Sequence, residues 1–245
     1  MNAVLLTGRS GSESIRHKNL YPVLGRPLGF YPMWAAVHAG SVDRCFLTTD
    51  SEPLAELAVS LGITVIERPT HLAGSTAELV DAIRHALPLM GTPDTLITMH
   101  CNVAYHRPGV VDECISLLEA DPEADSCVTG YIDRAVHPIR TRRIDDAGCL
   151  QPWLDTPPGA SSNRQALDAC FILDGAARAI RLADGLPTDG PPPFAYLGSR
   201  VIPVVNGRGG DVHGLEDVAL AEWLLRRDGW DMGDPGDAAF GAPIR

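Results

Sequence analysis

Short apolar runs alternate with segments of helical periodicity over most of the first 131 residues, and this alternation limits the folds open to the chain. The apolar runs are predicted strands at residues 4–6, 42–50, 63–67, 95–99 and 125–131. The periodic segments are predicted helices at residues 29–39, 53–61, 76–89 and 110–119. Elements in this order form βαβ units with right-handed crossovers on a mostly parallel sheet. The sequence therefore predicts an α/β fold.

The pattern changes at about residue 133. Residues 133–164 are rich in Arg, Asp, Pro and Gly and show no clear period, which predicts a protruding, hairpin-like insertion that makes dimer contacts. Further elements are predicted at residues 169–173 and 200–205 as strands and at 215–227 as a helix. The sequence thus indicates one domain over residues 1–228, followed by a flexible tail at 229–245.

Overall charge and cysteine spacing argue against several classes of protein. A formal net charge of −11 disfavours a nucleic-acid-binding surface, which would carry an excess of basic residues. No apolar run approaches ~20 residues, and the N-terminus lacks a charged region and a cleavage signal, so we expect a cytoplasmic protein without a membrane partner. The six cysteines have no C-x-x-C spacing, which favours reduced thiols over a metal cage or disulfides.

The first apolar run leads into residues 8–19, GRSGSESIRHKN, which have the composition of an anion-binding loop. Glycines such as Gly8 let the backbone approach an anion, and consecutive N–H groups can line a concavity around it. Arg9 supplies a planar fork for phosphate oxygens and Lys18 a compact charge. The spacing of a P-loop is absent. Taken alone, the loop fits a surface turn with solvated basic residues equally well.

Three segments in the same order resemble the acylneuraminate-type cytidylyltransferases. The opening loop resembles their R-x-G-S-x-G-I-x-x-K-N segment and G-x-P-L turn. Residues 46–80 resemble their strand ending in S/T-T-D and the later R-P-x-x-L-A, and residues 209–225 their closing D-x-D-x-x-x-D-x-x-x-A-E segment. The resemblance implies a Rossmann-like three-layer α/β/α sandwich, usually dimeric, that uses Mg²⁺. It also implies an activity in which CMP from CTP is joined to an acidic acceptor with release of pyrophosphate.

The matched motifs imply roles for individual residues. Arg9 and Lys18 match basic residues that stabilise the charge that builds on pyrophosphate, and they are the predicted catalytic residues. The predicted nucleotide-binding residues are Gly8, Arg9, Ser10, Ser12, Lys18, Asn19, Arg68, Ala73 and Ser75. Within this set, Arg68 and the backbone of residues 73–76 match the segment that recognises cytosine. Asp211 matches the first aspartate of the closing segment and is the predicted Mg²⁺ ligand.

Three positions need a separate interpretation. Glu13 stands where the family usually has Lys, and it fits a capping box with Ser10. His213 replaces the second acidic residue of the closing segment, and we expect it to contact phosphate or the acceptor, because Mg²⁺ prefers oxygen ligands. Asp217 lies at the start of the last predicted helix and is interpreted as a capping or N-terminal helix charge rather than a metal ligand.

The acceptor side departs furthest from the family. The chain has MHCNVAYHRP in place of L-Q-P-T-S-P-L-R, and NRQALDACFIL in place of R-P-N-G-x-x-Y. The predicted acceptor-binding residues are His100, Asn102, His106, Arg107, Arg164 and His213. A phosphonate is already ionised and needs only cationic positioning, whereas a sugar hydroxyl needs a general base. We therefore predict a small phosphonate acceptor, with a nonulosonic (sialic-type) acid or a non-catalytic nucleotide-binding relative as alternatives.

Overall fold

Eleven strands and five α-helices follow one another in the computed structural model, which describes residues 1–231 except positions 13, 184 and 209. The strands are β1 (Asn2–Thr7), β2 (Pro22–Val23), β3 (Arg26–Pro27), β4 (Arg44–Thr49), β5 (Thr64–Glu67), β6 (Thr95–His100), β7 (Ser126–Ile132), β8 (Arg142–Ile144), β9 (Leu150–Pro152), β10 (Phe171–Arg181) and β11 (Val201–Val205). The helices are α1 (Phe30–Val37), α2 (Glu52–Ser60), α3 (Leu79–Ala86), α4 (Val110–Ala120) and α5 (Leu215–Arg227).

A seven-stranded sheet forms the centre of the molecule, with its strands in the order β11-β7-β10-β6-β1-β4-β5. Neighbouring strands from β5 to β6 are parallel, and β11 is parallel to β7. Within this sheet, β10 runs antiparallel to both of its neighbours, β6 and β7, and the predicted α/β fold with a mostly parallel sheet is confirmed. The chain moves outward from β1 through β4 to β5 and then returns to the other side of β1 with β6. This reversal opens a crevice at the carboxyl ends of β1 and β6.

Helices cover both faces of the sheet. Val4 and Leu6 of β1 are fully buried in a cluster that includes residues of α1, α2 and α4. The alternate residues, Ala3 and Leu5, face a second cluster that includes residues of α3. Because both faces of β1 are covered, the strand reads as a continuous apolar run rather than as an alternating pattern. The three layers expected for the fold are present.

Two elements differ from the sequence-based prediction by three residues or more. The helix expected to begin near residue 76 begins at Leu79, because residues 70–72 form a 3-10 turn and the N–H of Ala77 bonds to the carbonyl of Gly74. The strand expected at residues 169–173 continues to residue 181. Its pairing with β7 shifts between residues 173 and 178, where Gly175 has a φ of +70°. In a sequence, a glycine at a bulge looks the same as a glycine that ends a strand. The prediction therefore ended the strand before Gly175.

The segment predicted as an insertion contains the antiparallel hairpin β8–β9. Several of its large apolar side chains are exposed, among them Ile144 (73%), Leu150 (69%) and Trp153 (61%). Its part in dimer contacts stays a prediction. The interpretation of Glu13 and the predicted tail from residue 232 onward fall on residues outside the described part of the chain.

Membrane-crossing helices require a long apolar stretch. In the part of the chain that the structure describes, no helix has the length and apolar character to span a bilayer. The cysteines Cys45, Cys101, Cys114, Cys127, Cys149 and Cys170 are free thiols.

Asp217 caps the N-terminus of α5. Its Oδ2 accepts hydrogen bonds from the backbone N–H groups of His213 and Gly214, each at 2.8 Å. These two donors have no partner within the helix, so the carboxylate satisfies groups that α5 leaves free. The interpretation of Asp217 as a capping residue is confirmed.

The cap leads to a stability prediction. Asp217 is the third residue of α5 and reaches back to the N-cap residue, Gly214, so Asp217→Ala should lower the free energy of unfolding by about 1 kcal/mol, a loss of the size found for helix capping contacts. Urea denaturation followed by circular dichroism measures the change. The neighbouring Glu216 is exposed in the same helical turn, and Glu216→Ala should change stability by less than about 0.5 kcal/mol. Equal losses in the two variants would show that general charge at the helix start, rather than the cap, is responsible.

Candidate functional site

A cavity of about 520 Å³ opens where β1, β5 and β6 end, at the crevice of the sheet. It brings together residues that are far apart in sequence, because parallel strands deliver their carboxyl ends to one edge. Ten of the predicted site residues line it: Gly8, Arg9, Ser12, Lys18, Asn19, Arg68, Ser75, His100, Asn102 and His213.

The loop after β1 is held in place by its own backbone and by close packing. The Asn19 Nδ2 donates to the carbonyl of Arg9 at 3.1 Å, and the Asn19 carbonyl accepts from the N–H of Gly29 at 2.7 Å. A Cβ at Gly8 would lie 2.5 Å from Leu54 Cδ2 and 3.0 Å from Cys101 Cβ, so a larger residue here would have to displace the buried Leu54 side chain. The loop therefore presents its basic residues from a fixed backbone.

Arg68 follows β5 directly and is only 7% exposed. Its Nη2 donates to the carbonyl of Thr48 at 2.8 Å, which fixes the guanidinium at the cavity wall. Burial lowers the pKa of Arg68, and the positive charge of Arg9 acts in the same direction. The Arg9 Nη1 reaches the carbonyl of Ala73 at 3.4 Å, so Ala73 contacts the site residues through its backbone without lining the cavity itself.

The cavity is locally cationic within an acidic protein. Arg9, Lys18 and Arg68 line it, whereas Glu78 supplies the one acidic side chain among the lining residues that the structure describes. Ser10 points elsewhere, because its hydroxyl donates to Asp50 Oδ2 at 2.5 Å. A concave surface with this excess of positive charge attracts anions such as phosphates.

Asp211 lies beside the cavity and links two of its lining residues. Its Oδ1 accepts from Asn102 Nδ2 at 2.5 Å, and its Oδ2 lies 2.9 Å from His213 Nε2. Burial raises the pKa of Asp211, and the nearby His213 and Lys18 oppose that shift. The carboxylate of the closing segment is thus held beside the cavity, with one oxygen on Asn102 and the other near His213.

This donor set fits a magnesium ion that a substrate helps to hold. Within the described residues, no group of three or more His, Cys, Asp or Glu side chains is placed to bind a metal ion. Mg²⁺ is commonly bound by one or two carboxylates together with substrate phosphates and water, so a single carboxylate beside the basic loop is compatible with it. Asp211 is the residue that would supply the carboxylate.

His100 ends β6 and contacts an arginine outside the set of predicted site residues. Its Nε2 lies 3.0 Å from Nη1 of Arg178 in β10. Burial and the positive charges of Arg178 and Arg68 lower the pKa of His100 to about 3, so the ring is neutral at physiological pH. The signal in the sequence was a lone arginine inside the apolar run of residues 176–180, which lay beyond the predicted strand.

Three predicted acceptor residues lie apart from the cavity. His106 lines a separate pocket of about 220 Å³, with a pKa lowered to about 4 by burial and its Nε2 3.2 Å from the carbonyl of Ala176. Arg107 lines the same pocket and pairs with Glu113. Arg164 lies exposed on a 3-10 turn of the insertion.

Comparisons with known proteins agree with this architecture. The N-acylneuraminate cytidylyltransferase of Escherichia coli O18:K1:H7 is 34% identical over 147 residues, which cover 60% of this chain and 35% of that protein. The pseudaminic acid cytidylyltransferase of Campylobacter jejuni serotype O:23/36 is 27% identical over 101 residues, which cover 41% of this chain and 44% of that protein. The chain therefore spans less than half the length of these curated relatives.

Solved structures and a family model complete the comparison. CMP:2-keto-3-deoxy-manno-octonic acid synthetase, in complex with CTP, superposes with a TM-score of 0.65 at 14% identity, over 92% of this chain and 98% of that one. The 4-diphosphocytidyl-2C-methyl-D-erythritol synthase of Anaerococcus prevotii gives 0.60 at 13% identity with the same coverage. These structures share the fold. A family model described as cytidylyltransferase matches residues 3–131, more than half of the sequence, and the chain belongs to that family.

Proposed function

We propose that this protein is a CTP-dependent cytidylyltransferase that joins CMP to an acidic small molecule and releases pyrophosphate. The observation that carries the proposal is the cationic cavity at the sheet crevice, where Arg9 and Lys18 on the loop after β1 meet Arg68 after β5. Membership of the cytidylyltransferase family agrees with this use of the cavity.

The triphosphate binds to the loop after β1 in this proposal. An acceptor oxygen attacks the α-phosphorus of CTP, the bond to the bridging oxygen of the leaving group breaks, and pyrophosphate departs with the electron pair. Arg9 and Lys18 stabilise the charge that grows on the leaving oxygens, which is the main protein contribution to phosphoryl-group chemistry of this kind. Mg²⁺, when bound, neutralises phosphate charge, and Asp211 is the residue that would hold it.

Cytosine recognition is assigned to the wall formed by Arg68 and the backbone around Ala73. Backbone donors and acceptors on a fixed loop distinguish cytosine from uracil, because the cytosine amino group donates a hydrogen bond at the position where the uracil carbonyl accepts one. The hydrogen bonds of Arg68 to Thr48 hold this wall rigid. Ser75 also lines the cavity here.

For the acceptor, a sugar acid of the sialic, pseudaminic or octulosonic type has the stronger support, since the relatives are named for such acids. A small phosphonate, which the sequence alone favours, remains the second candidate. One observation supports it: His100 has a pKa of about 3, which makes it a weak base for removing the proton of a sugar hydroxyl at neutral pH. A phosphonate oxygen needs no such base.

A homodimer is part of the proposal. The exposed apolar residues of the β8–β9 hairpin, including Ile144, Leu150 and Trp153, form a surface that a second copy of the chain would cover. Dimerisation through this hairpin would bury side chains that water now contacts.

Pyrophosphate release with CTP and Mg²⁺ tests the proposal. We expect turnover with at least one acid from a panel of nonulosonic acids, octulosonic acids and small phosphonates, and CTP should be preferred over UTP, ATP and GTP. Turnover with phosphonates alone would reverse the order of the two acceptors. If no acceptor and no nucleotide gave pyrophosphate release, although calorimetry showed that CTP binds, the protein would be a non-catalytic nucleotide-binding relative.

A further inference from the structure

Arg178 is a buried, positively charged residue in the middle of β10. The residue is 6% exposed, and it forms no ion pair with the acidic residues that the structure describes. Its Nε lacks a hydrogen-bond partner in the same part of the chain. A buried guanidinium is costly unless its charge and donors are satisfied, so an arginine in the middle of β10 needs a reason beyond packing.

The contacts of Arg178 lead to the cavity through His100. Its Nη1 donates to His100 Nε2 at 3.0 Å and to the hydroxyl of Tyr196 at 3.2 Å. An arginine N–H can only donate, so Nε2 is the accepting nitrogen and the proton of the neutral ring is on Nδ1. Gly175 packs against the face of the ring, because a Cβ there would lie 3.2 to 3.6 Å from Nδ1, Cγ and Cε1, and the glycine leaves room for the ring. Among the described residues, Nδ1 has no hydrogen-bond partner, so its hydrogen is available to a ligand in the cavity.

Sheet order separates His100 from the side of the crevice assigned to the nucleotide. Arg9 follows β1, which borders the crevice, and Arg68 follows β5, which lies beyond β1 on the side away from β6. His100 ends β6 and Arg178 lies in β10, which is the next strand away from β1. The β6–β10 side is therefore available to the second substrate.

We propose that Arg178 is a positioning residue for the acceptor: it fixes the His100 ring so that Nδ1–H donates to an anionic oxygen, from a carboxylate or a phosphonate, in the cavity. This inference rests on the proposed function. The buried guanidinium also places positive charge behind the donor, which favours an anionic partner over a neutral one. The charges acting on the ring come from Arg178 in β10 and Arg68 after β5, and both favour its neutral form.

Kinetics of matched variants test the role of Arg178. Arg178→Met should raise the KM for the acceptor by about 10-fold or more, because a charge-linked hydrogen bond is lost, and leave the KM for CTP within about twofold. Arg178→Lys, which keeps the charge, should recover part of the loss. Tyr196→Phe removes the other hydrogen bond of the same guanidinium and should stay near wild type. An equal rise in both KM values would overturn the proposal.

A second measurement does not depend on turnover. In imidazole ¹⁵N NMR spectra, assigned with a His100→Gln variant, His100 of the wild type should appear as the Nδ1–H tautomer and should not titrate between about pH 5 and 8. In Arg178→Met it should become a mixture of tautomers or titrate in that range. Unchanged spectra in a variant that still binds CTP would refute the positioning role. Absence of pyrophosphate release with all acceptors counts against the proposed function alone.

Discussion

Lys18→Met is expected to lower kcat for pyrophosphate release by about 100- to 1000-fold, the effect of removing one donor that stabilises transition-state charge. Lys18 lines the cavity from the short 3-10 turn Lys18–Leu20, and the loop before it is fixed by the contacts of Asn19. The methionine keeps the length of the side chain and removes its charge. Steady-state kinetics with CTP and the preferred acceptor measure the loss.

The same loop offers a matched control. Arg16 is exposed and is absent from the cavity lining, although it lies only two positions from Lys18. Arg16→Met removes one positive charge from the loop and should change kcat by no more than about twofold. Similar losses in both variants would show that the net charge of the loop, rather than Lys18 at the cavity, drives catalysis.

Asp211→Asn is expected to reduce kcat by about 100-fold or more at fixed Mg²⁺, because several kcal/mol of charge stabilisation by the metal ion would be lost. The amide has the shape of the carboxylate and retains an oxygen that can accept from Asn102 Nδ2. Raising Mg²⁺ should restore part of the rate. The rise in melting temperature caused by Mg²⁺ with CTP provides a measurement independent of turnover.

Glu216→Gln is the control for Asp211→Asn. Glu216 is an exposed acidic residue at the start of α5, close in sequence but outside the cavity lining. It should leave both kcat and the Mg²⁺ dependence near wild type. If Asp211→Asn also kept the wild-type Mg²⁺ dependence, Asp211 would be a structural residue that positions Asn102 and His213, and the proposed metal site would be wrong.

Local patterns were sufficient for the parallel part of the sheet and for the position of the basic loop after β1. The run in β1 has strong apolar character because both of its faces are covered, and α5 has the predicted bounds, Leu215–Arg227. The basic loop directly follows a strand, so its place at the carboxyl edge follows from the βαβ pattern alone. These features depend on contacts that the sequence order already implies.

Features that depend on distant contacts were harder to predict. β10 lies between β6 and β7, two strands that precede it in the chain, and no local pattern predicts this pairing. The glycine at its bulge also suggests, from sequence alone, that the strand ends there. The chain also turns sharply after β6: Asn102 lines the large cavity, whereas His106, four positions later, lines a separate pocket. Polar residues that are close in sequence therefore line different pockets, and only the tertiary structure shows which pocket each of them lines.

The position of β10 also affects the order in which the sheet can assemble. β6 and β7 are not hydrogen-bonded to each other, and β10 joins them after a further segment of chain that includes the β8–β9 hairpin. Closing a longer loop costs more chain entropy, so the contiguous unit of β1, β4, β5 and β6 has the shorter route to its native pairing. The wall that carries Arg9 and Arg68 can thus form early in folding, whereas the wall that carries Arg178 is complete only when the two parts of the sheet are joined.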